Sequence, residues 1–202
     1  MKLYFSPGAC SLASHIALRE AGIDVELVKV EGRGAKMAAG RDFAEVTTKA
    51  YVPALELDDG SVLTEGTAIL PFIADQAPAS GLAPAPGTME RYRLHEWLGY
   101  INSEIHKSFS PFFAPGSTDA QKEAAKALLD RRLRYAEEIL AGRDFLLGDV
   151  FTVADAYLYT VLSWCRYVNI DLGTWPVLKD YHDRIAARPA VVEARKQEGL
   201  PR

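Results

Sequence analysis

Cysteine is scarce in this chain. Two residues, Cys10 and Cys165, among 202 cannot build a disulfide framework. Long apolar runs are missing as well, and none approaches the roughly 20 residues needed to span a bilayer. The opening MKLYFSPGACSLAS has one basic residue and lacks the apolar stretch of a secretory leader. These absences lead to an expectation of a cytoplasmic protein with no membrane partner. Positive charge is not in excess either: the formal net charge is -4 and no Lys/Arg cluster stands out, which argues against nucleic acid. No set of His, Cys, Asp and Glu has metal-site spacing, so no metal is expected. There is no G-x-S-x-G elbow, phosphate loop or dinucleotide fingerprint.

What is present is ordinary for a globular chain, with 49% hydrophobic and 25% charged residues, enough for one or two domains. Residues 2–5 read as a strand, 10–21 as a helix stopped by Gly22, and 25–30 as a second strand. Leu12, Ile16 and Ala17 share one face of that helix. Residues 31–48 are charged and irregular, with one short helix expected near 41–46. A hairpin at 54–64 and a helix at 66–76, interrupted by Pro71, complete a β-α-β-α-β-β-α order. The segment APASGLAPAPG at 77–87 reads as a linker, dividing a first domain, 1–77, from a second, 88–202.

Everything after the linker reads helical. In the long helix at 88–108, Leu94, Leu98, Ile101 and Ile105 recur at helical spacing, and Gly99, Ser103 and His106 face elsewhere. Further helices are expected at 119–141, from 152 onward, and at 176–187 and 189–197. Thr152 and Asp155 have the spacing of a capping box.

The first domain is organised around residues 49–66, KAYVPALELDDGSVLTEG. Asp59-Gly60 between two apolar runs predicts a hairpin turn, since Gly accepts positive φ at no steric cost. Val52-Pro53 stands before a strand, where a cis bond would turn the chain and expose the Val52 backbone. Glu65-Gly66 stands at a helix start, where free amides make an anion site. Together these features could hold a small peptide with a free amino acid end. A plain hairpin followed by an amphipathic helix accounts for the same pattern.

Cys10 follows a strand and a loop at a helix N-terminus, where amides and dipole favour a thiolate. The competing reading is a small buried hydrophobe, which suits the mid-helix Cys165 better. Ala13 stands where a C-x-x-C motif needs its second cysteine, so exchange chemistry at Cys10 requires an external thiol. His106 reads either as structural or as a cation near a thiol, which would favour the thiolate further; His15, His95 and His182 read as structural.

Several motifs in order make the chain resemble the bacterial beta class of cytosolic glutathione S-transferases nearly end to end. They are MKLYFSPGACSLASHIALRE, YVPALELDDGSVLTEGTAIL, RYRLHEWL, SEIHKSFSP and GDVFTVADAYLYT. The resemblance implies a thioredoxin-like α/β N-terminal domain, an all-helical C-terminal domain and a twofold homodimer. It implies glutathione as co-substrate, small hydrophobic electrophiles as acceptors and a role in detoxification. Residue by residue, Cys10 falls where the class keeps the cysteine facing the glutathione sulfur. Val52 falls where the backbone pairs with the cysteinyl part, Pro53 where the cis proline stands, and Glu65 and Gly66 where the γ-glutamyl end is held. His106 falls beside the sulfur, with Ser103 nearby and Glu104 reaching the partner subunit's glutathione.

Three positions depart from the pattern. Gly99 replaces an Asn of the network around the cysteine, Ala35 replaces a Lys that contacts the glycyl carboxylate, and Pro71 lies inside a helix. Lys36 is the substitute expected for that Lys. The acceptor pocket is expected to be lined by Phe109, Phe112, Phe113 and Trp164. Conjugation is the expected activity, with glutathione-disulfide exchange through Cys10 as a second enzymatic reading. A non-catalytic ligand- or protein-binding role on the same fold is the alternative.

Overall fold

The computed structural model describes residues 1–31, 37 and 42–201. The chain forms two compact units, Met1–Ala83 with Ala187–Arg202, and Pro84–Ala186.

In the first unit, β1 (Lys2–Phe5), β2 (Glu26–Lys29), β3 (Ala54–Glu56) and β4 (Val62–Thr64) form one sheet in the order β2-β1-β3-β4. β1 runs parallel to β2 and antiparallel to β3, and β3 antiparallel to β4. A parallel pair needs a crossover, and α1 (Ser11–Glu20) supplies it. Leu3 pairs with Leu27 on one side and with Leu55 on the other, which sets the register. Leu3, Tyr4 and Phe5 are all buried, as a central strand covered on both faces requires. Tyr4 meets Phe43 at 5.4 Å, in a cluster with Val30, Met37 and Ala54. The expected hairpin turn is present. Gly60 has φ +84°, and Asp59 accepts from the Ser61 amide at 2.9 Å and its hydroxyl at 2.6 Å. The expected short helix is a single 3₁₀ turn, Phe43–Glu45, capped by Asp42. α2 (Gly66–Gln76) continues through Pro71.

Two expectations are corrected here. α1 was expected to bury one face, but Ser11 through Leu18 are all buried. The cause is α8 (Pro189–Gln197), which packs on α1, as α2 does. The segment 187–202, expected with the helical domain, therefore groups with the first unit. It is bound there through Arg188, whose guanidinium donates to Glu20 at 2.6 and 3.0 Å.

The second unit comprises α3 (Met89–Tyr100), α4 (Ser110–Phe113), α5 (Asp119–Leu140), α6 (Val153–Leu162) and α7 (Pro176–Ala186). The single long helix expected at 88–108 changes pitch instead. It widens into a π turn at Ile101–Ile105 and tightens into a 3₁₀ turn at His106–Phe109. Leu94, Leu98, Ile101 and Ile105 are buried as expected. All ten residues of α6 are buried, so this helix is the centre of the unit rather than an amphipathic wall. Asp155 holds its start. Its carboxylate accepts from the Thr152 amide at 2.8 Å and hydroxyl at 2.9 Å, the Leu146 amide at 2.8 Å and the Tyr181 hydroxyl at 2.9 Å.

Candidate functional site

The loop before α1 is pinned at three points. Ser11 Oγ accepts from the Ser6 amide at 3.2 Å and donates to the Ser6 carbonyl at 3.3 Å. The Gly8 amide donates to Glu198 at 2.9 Å, with Gly8 at φ +70°, a conformation that only glycine adopts without strain. Glu198 also meets His15 Nδ1 at 3.0 Å, and His15 Nε2 meets Gln197 Oε1 at 2.9 Å. The C-terminal residues thus fix the loop that delivers Cys10 to the start of α1.

Cys10 is half-buried, and its thiol donates to the Val52 carbonyl at 3.4 Å. The Val52-Pro53 bond is cis, as expected. A strand's leading backbone and a helix-terminal thiol therefore meet. Cys165 contrasts with it: burial in the core pushes that thiol up to about 12.

Glu65 caps α2 with φ +72°, a left-handed conformation that costs a non-glycine residue about 1–2 kcal/mol. The Ala68 and Ile69 amides both donate to its carbonyl at 2.9 Å. The amides of Gly66 and Thr67, at the first two positions of the helix, have no intrahelical partner. The Glu65 carboxylate accepts from Lys49 Nζ and from the Tyr51 hydroxyl, each at 2.6 Å. That contact raises the pKa of both donors. Sequence reasoning passed over Lys49 and Tyr51. The signal was their place at the head of the same 49–66 stretch, in KAY before Val52. Lys36 lies outside the described residues, as does Ala35.

In the second unit Asn102 of the π turn and His106, just after it, both meet Tyr157 of α6. His106 Nδ1 lies 2.7 Å from the Tyr157 hydroxyl, which donates to Asn102 Oδ1 at 3.0 Å. Burial, with the adjacent Lys107 charge, pushes His106 down to about 4, so the ring is neutral at pH 7 and not the cation expected from the sequence. Sequence reasoning missed Asn102 and Tyr157, because which helix face meets which, 55 residues apart, is set by packing and not by a local pattern. Ser103 is exposed, with its hydroxyl on the Gly99 carbonyl at 3.0 Å. Glu104 pairs with Arg132 at 2.7 Å. A Cβ placed on Gly99 meets nothing within 4 Å, so the side chain missing there leaves open space rather than a repacked neighbour.

The expected aromatic residues gather around His106. Its ring lies 4.7 Å from Trp164, and Trp164 stands edge-on to Phe109 at 5.5 Å and to Phe113 at 5.8 Å. Phe109 and Trp164 belong to the core, whereas Phe113 is exposed. No group of three or more His, Cys, Asp and Glu among the described residues is placed to hold a metal ion. No helix among them is long and apolar enough to cross a membrane.

Comparison with known proteins supplies an independent view. Residues 8–76 match the family described as glutathione S-transferase, N-terminal domain, and residues 100–189 the glutathione S-transferase, C-terminal domain. The chain is 44% identical over 200 residues to glutathione S-transferase GstA of Escherichia coli O157:H7, covering 99% of this chain and 100% of that protein. A sphingomonad glutathione S-transferase complexed with glutathione superposes with a TM-score of 0.95 at 53% identity, covering 100% of both chains. The bacterial beta-class glutathione S-transferase of Sphingomonas chungbukensis superposes with a TM-score of 0.96 at 48% identity, again over 100% of both chains.

Proposed function

The chain belongs to the glutathione S-transferase family, and from that premise we propose how its residues divide the work of a glutathione-dependent transferase. Glutathione is the co-substrate. The Val52 backbone, ahead of Pro53, pairs with its cysteinyl part. Glu65 and the amides from Gly66 hold the γ-glutamyl end, the carboxylate taking the ammonium and the amides the carboxylate. Lys36 takes the glycyl carboxylate. Cys10 and His106 serve the sulfur, with Ser103 beside them and Glu104 directed to the partner subunit's glutathione in a twofold homodimer. The acceptors are small hydrophobic electrophiles received against Phe113 and Trp164, and the enzyme works in the cytoplasm.

The chemistry is a displacement. The glutathione thiolate forms a bond to an electrophilic carbon, the leaving group departs with its electron pair, and the thiol proton is lost to a base. The observation that carries this reading is the convergence of Cys10 on the Val52 carbonyl at 3.4 Å, beside the cis bond. A thiol held on this backbone supports the reading that the glutathione sulfur is received beside it.

Purified protein should conjugate glutathione to 1-chloro-2,4-dinitrobenzene with release of chloride. Glu65→Gln should raise the KM for glutathione by at least tenfold while leaving the fold intact by circular dichroism. An inert pure protein that still binds glutathione would favour the binding-module alternative. An unchanged KM would remove Glu65 from the site. A second enzymatic reading, disulfide exchange, is favoured by the half-buried position of Cys10. There its thiolate attacks a glutathione disulfide, forming Cys10–S–S–G and releasing the other half as a thiolate.

A further inference from the structure

We propose that Asn102 and Tyr157 are positioning residues that hold His106 as the tautomer protonated on Nδ1, leaving the Nε2 lone pair as the working end of the ring. This rests on the reading that His106 serves the glutathione sulfur.

The number of available hydrogens fixes the direction of these bonds. Three groups lie in a row: His106 Nδ1 is 2.7 Å from Tyr157 Oη, which is 3.0 Å from Asn102 Oδ1. A phenol carries one hydrogen, and an amide oxygen carries none. For both contacts to be hydrogen bonds, Tyr157 must donate to Asn102, and His106 must therefore donate from Nδ1. A neutral imidazole has one N–H, so Nε2 bears the lone pair. Among the described residues Nε2 makes no hydrogen bond.

The surroundings favour this arrangement and no other use of it. Tyr157 is almost fully buried at the middle of α6, so its hydroxyl cannot turn to water. Asn102 lies in the π turn and His106 follows it as the first residue of the 3₁₀ turn, and both meet the Tyr157 hydroxyl. Trp164 closes on the ring edge-on at 4.7 Å, which fixes its plane. The order of parts is that of a catalytic triad, in which a buried acceptor fixes the tautomer of the base. Here a phenol anchored by an amide replaces the carboxylate.

The consequence is a defined proton step. The thiol S–H bond breaks, its electron pair stays on sulfur, and the proton forms a bond to Nε2. The imidazolium so formed keeps donating from Nδ1 to Tyr157. A neighbouring thiolate favours that charged ring, in the direction opposite to the effect of burial in the empty protein.

The test uses the full-length protein without ligand, labelled with ¹⁵N-histidine. Long-range ¹H–¹⁵N spectra at pH 7.5 report the tautomer of each of its four histidines, and the spectrum of His106→Asn identifies the His106 signals. The wild type should show His106 protonated on Nδ1. Asn102→Ala frees the Tyr157 hydrogen to turn toward Nδ1 and should shift His106 to the Nε2–H tautomer. Asn102→Asp keeps an acceptor and should restore Nδ1–H. Tyr157→Phe removes the lock and should give a mixture of tautomers. In parallel, kcat for 1-chloro-2,4-dinitrobenzene should fall about tenfold in Asn102→Ala, with the KM for glutathione unchanged, and recover in Asn102→Asp. An Nε2–H signal in the wild type, or an Asn102→Ala spectrum identical to it, overturns the proposal. The predicted tautomers with wild-type kcat in both Asn102→Ala and His106→Asn would confirm the lock and overturn the role assigned to His106.

Discussion

His15 and His106 place the same ring in the two units under opposite terms. His15 is fully buried in α1, and both of its nitrogens are taken, one by Glu198 and one by Gln197. His106 has Nδ1 tied to Tyr157 and no hydrogen bond on Nε2 among the described residues. The first ring joins two segments distant in sequence, and anything that freed a nitrogen would open the core. The second is held by one end so that the other can act. A histidine's role is thus read from how many of its nitrogens the fold has claimed.

The largest expected effect comes from breaking the closed case. Glu198→Ala leaves His15 and the Gly8 amide without their acceptor, and two unsatisfied donors should cost roughly 2–5 kcal/mol together. Urea unfolding measures it. A cost below about 1 kcal/mol would mean that His15 is no more claimed than His106, and the comparison would fail.

The second effect is a pH dependence from the open case. His106 is depressed to about 4 against an ordinary value of 6.5. Between those values the unfolded chain takes up a proton that the folded chain refuses. Stability is therefore complete above pH 6.5 and declines as pH falls toward 4, by up to about 3 kcal/mol. Replacing His106 by Asn should flatten that part of the stability–pH curve. A curve of unchanged slope would show that His106 titrates normally in the folded protein.

The contrast between the two histidines was only half legible in the sequence. Alternation in 54–64 and the Asp-Gly turn give the hairpin, and Leu94, Leu98, Ile101 and Ile105 give the buried stripe, because both are local periodicities. The motifs around Cys10, Val52-Pro53, Glu65 and His106 carried the family, which the comparisons bear out. What stayed hidden depends on long-range packing or on a local change of pitch. Nothing in residues 187–202 says that they return to α1. Nothing in INSEIH announces a π turn, and nothing local says that Asn102 meets Tyr157, 55 residues on. Lys49 was visible in the sequence, yet only the fold brings it to Glu65.

A smaller effect tests whether the start of α6 belongs with the closed, structural kind of polar group. Thr152→Ala should destabilise by about 0.5–2 kcal/mol and leave the KM for glutathione unchanged. Asp155→Ala should cost more, since four donors lose their acceptor in the core. Because the Thr152 hydroxyl is one of those four donors, the double variant should lose less than the sum of the singles. Additive losses would remove the Thr152–Asp155 coupling from the account.

The smallest effect carries the comparison over to the two cysteines. Burial raises the Cys165 thiol to about 12, whereas Cys10 is half-buried on the Val52 carbonyl. Oxidised glutathione should therefore label Cys10 and leave Cys165 untouched, which intact-mass measurement on wild type and Cys10→Ala resolves. Label on Cys165 would reverse the assignment. The two thiols also bear on how conjugation works. Two thiolates side by side raise each other's pKa, so Cys10 and a bound glutathione cannot both be ionised comfortably. A cysteine placed there is poorly suited to activating glutathione and well suited to forming a disulfide with it. Cys10→Ala should then lower conjugation of 1-chloro-2,4-dinitrobenzene by no more than about threefold, a change of about 0.6 kcal/mol, while disulfide exchange disappears. His106 and the helix N-terminus remain in that variant to support the glutathione thiolate. If conjugation vanished along with exchange, Cys10 would be the group that ionises glutathione, and the repulsion between the two sulfurs would have to be relieved by a proton shared between them.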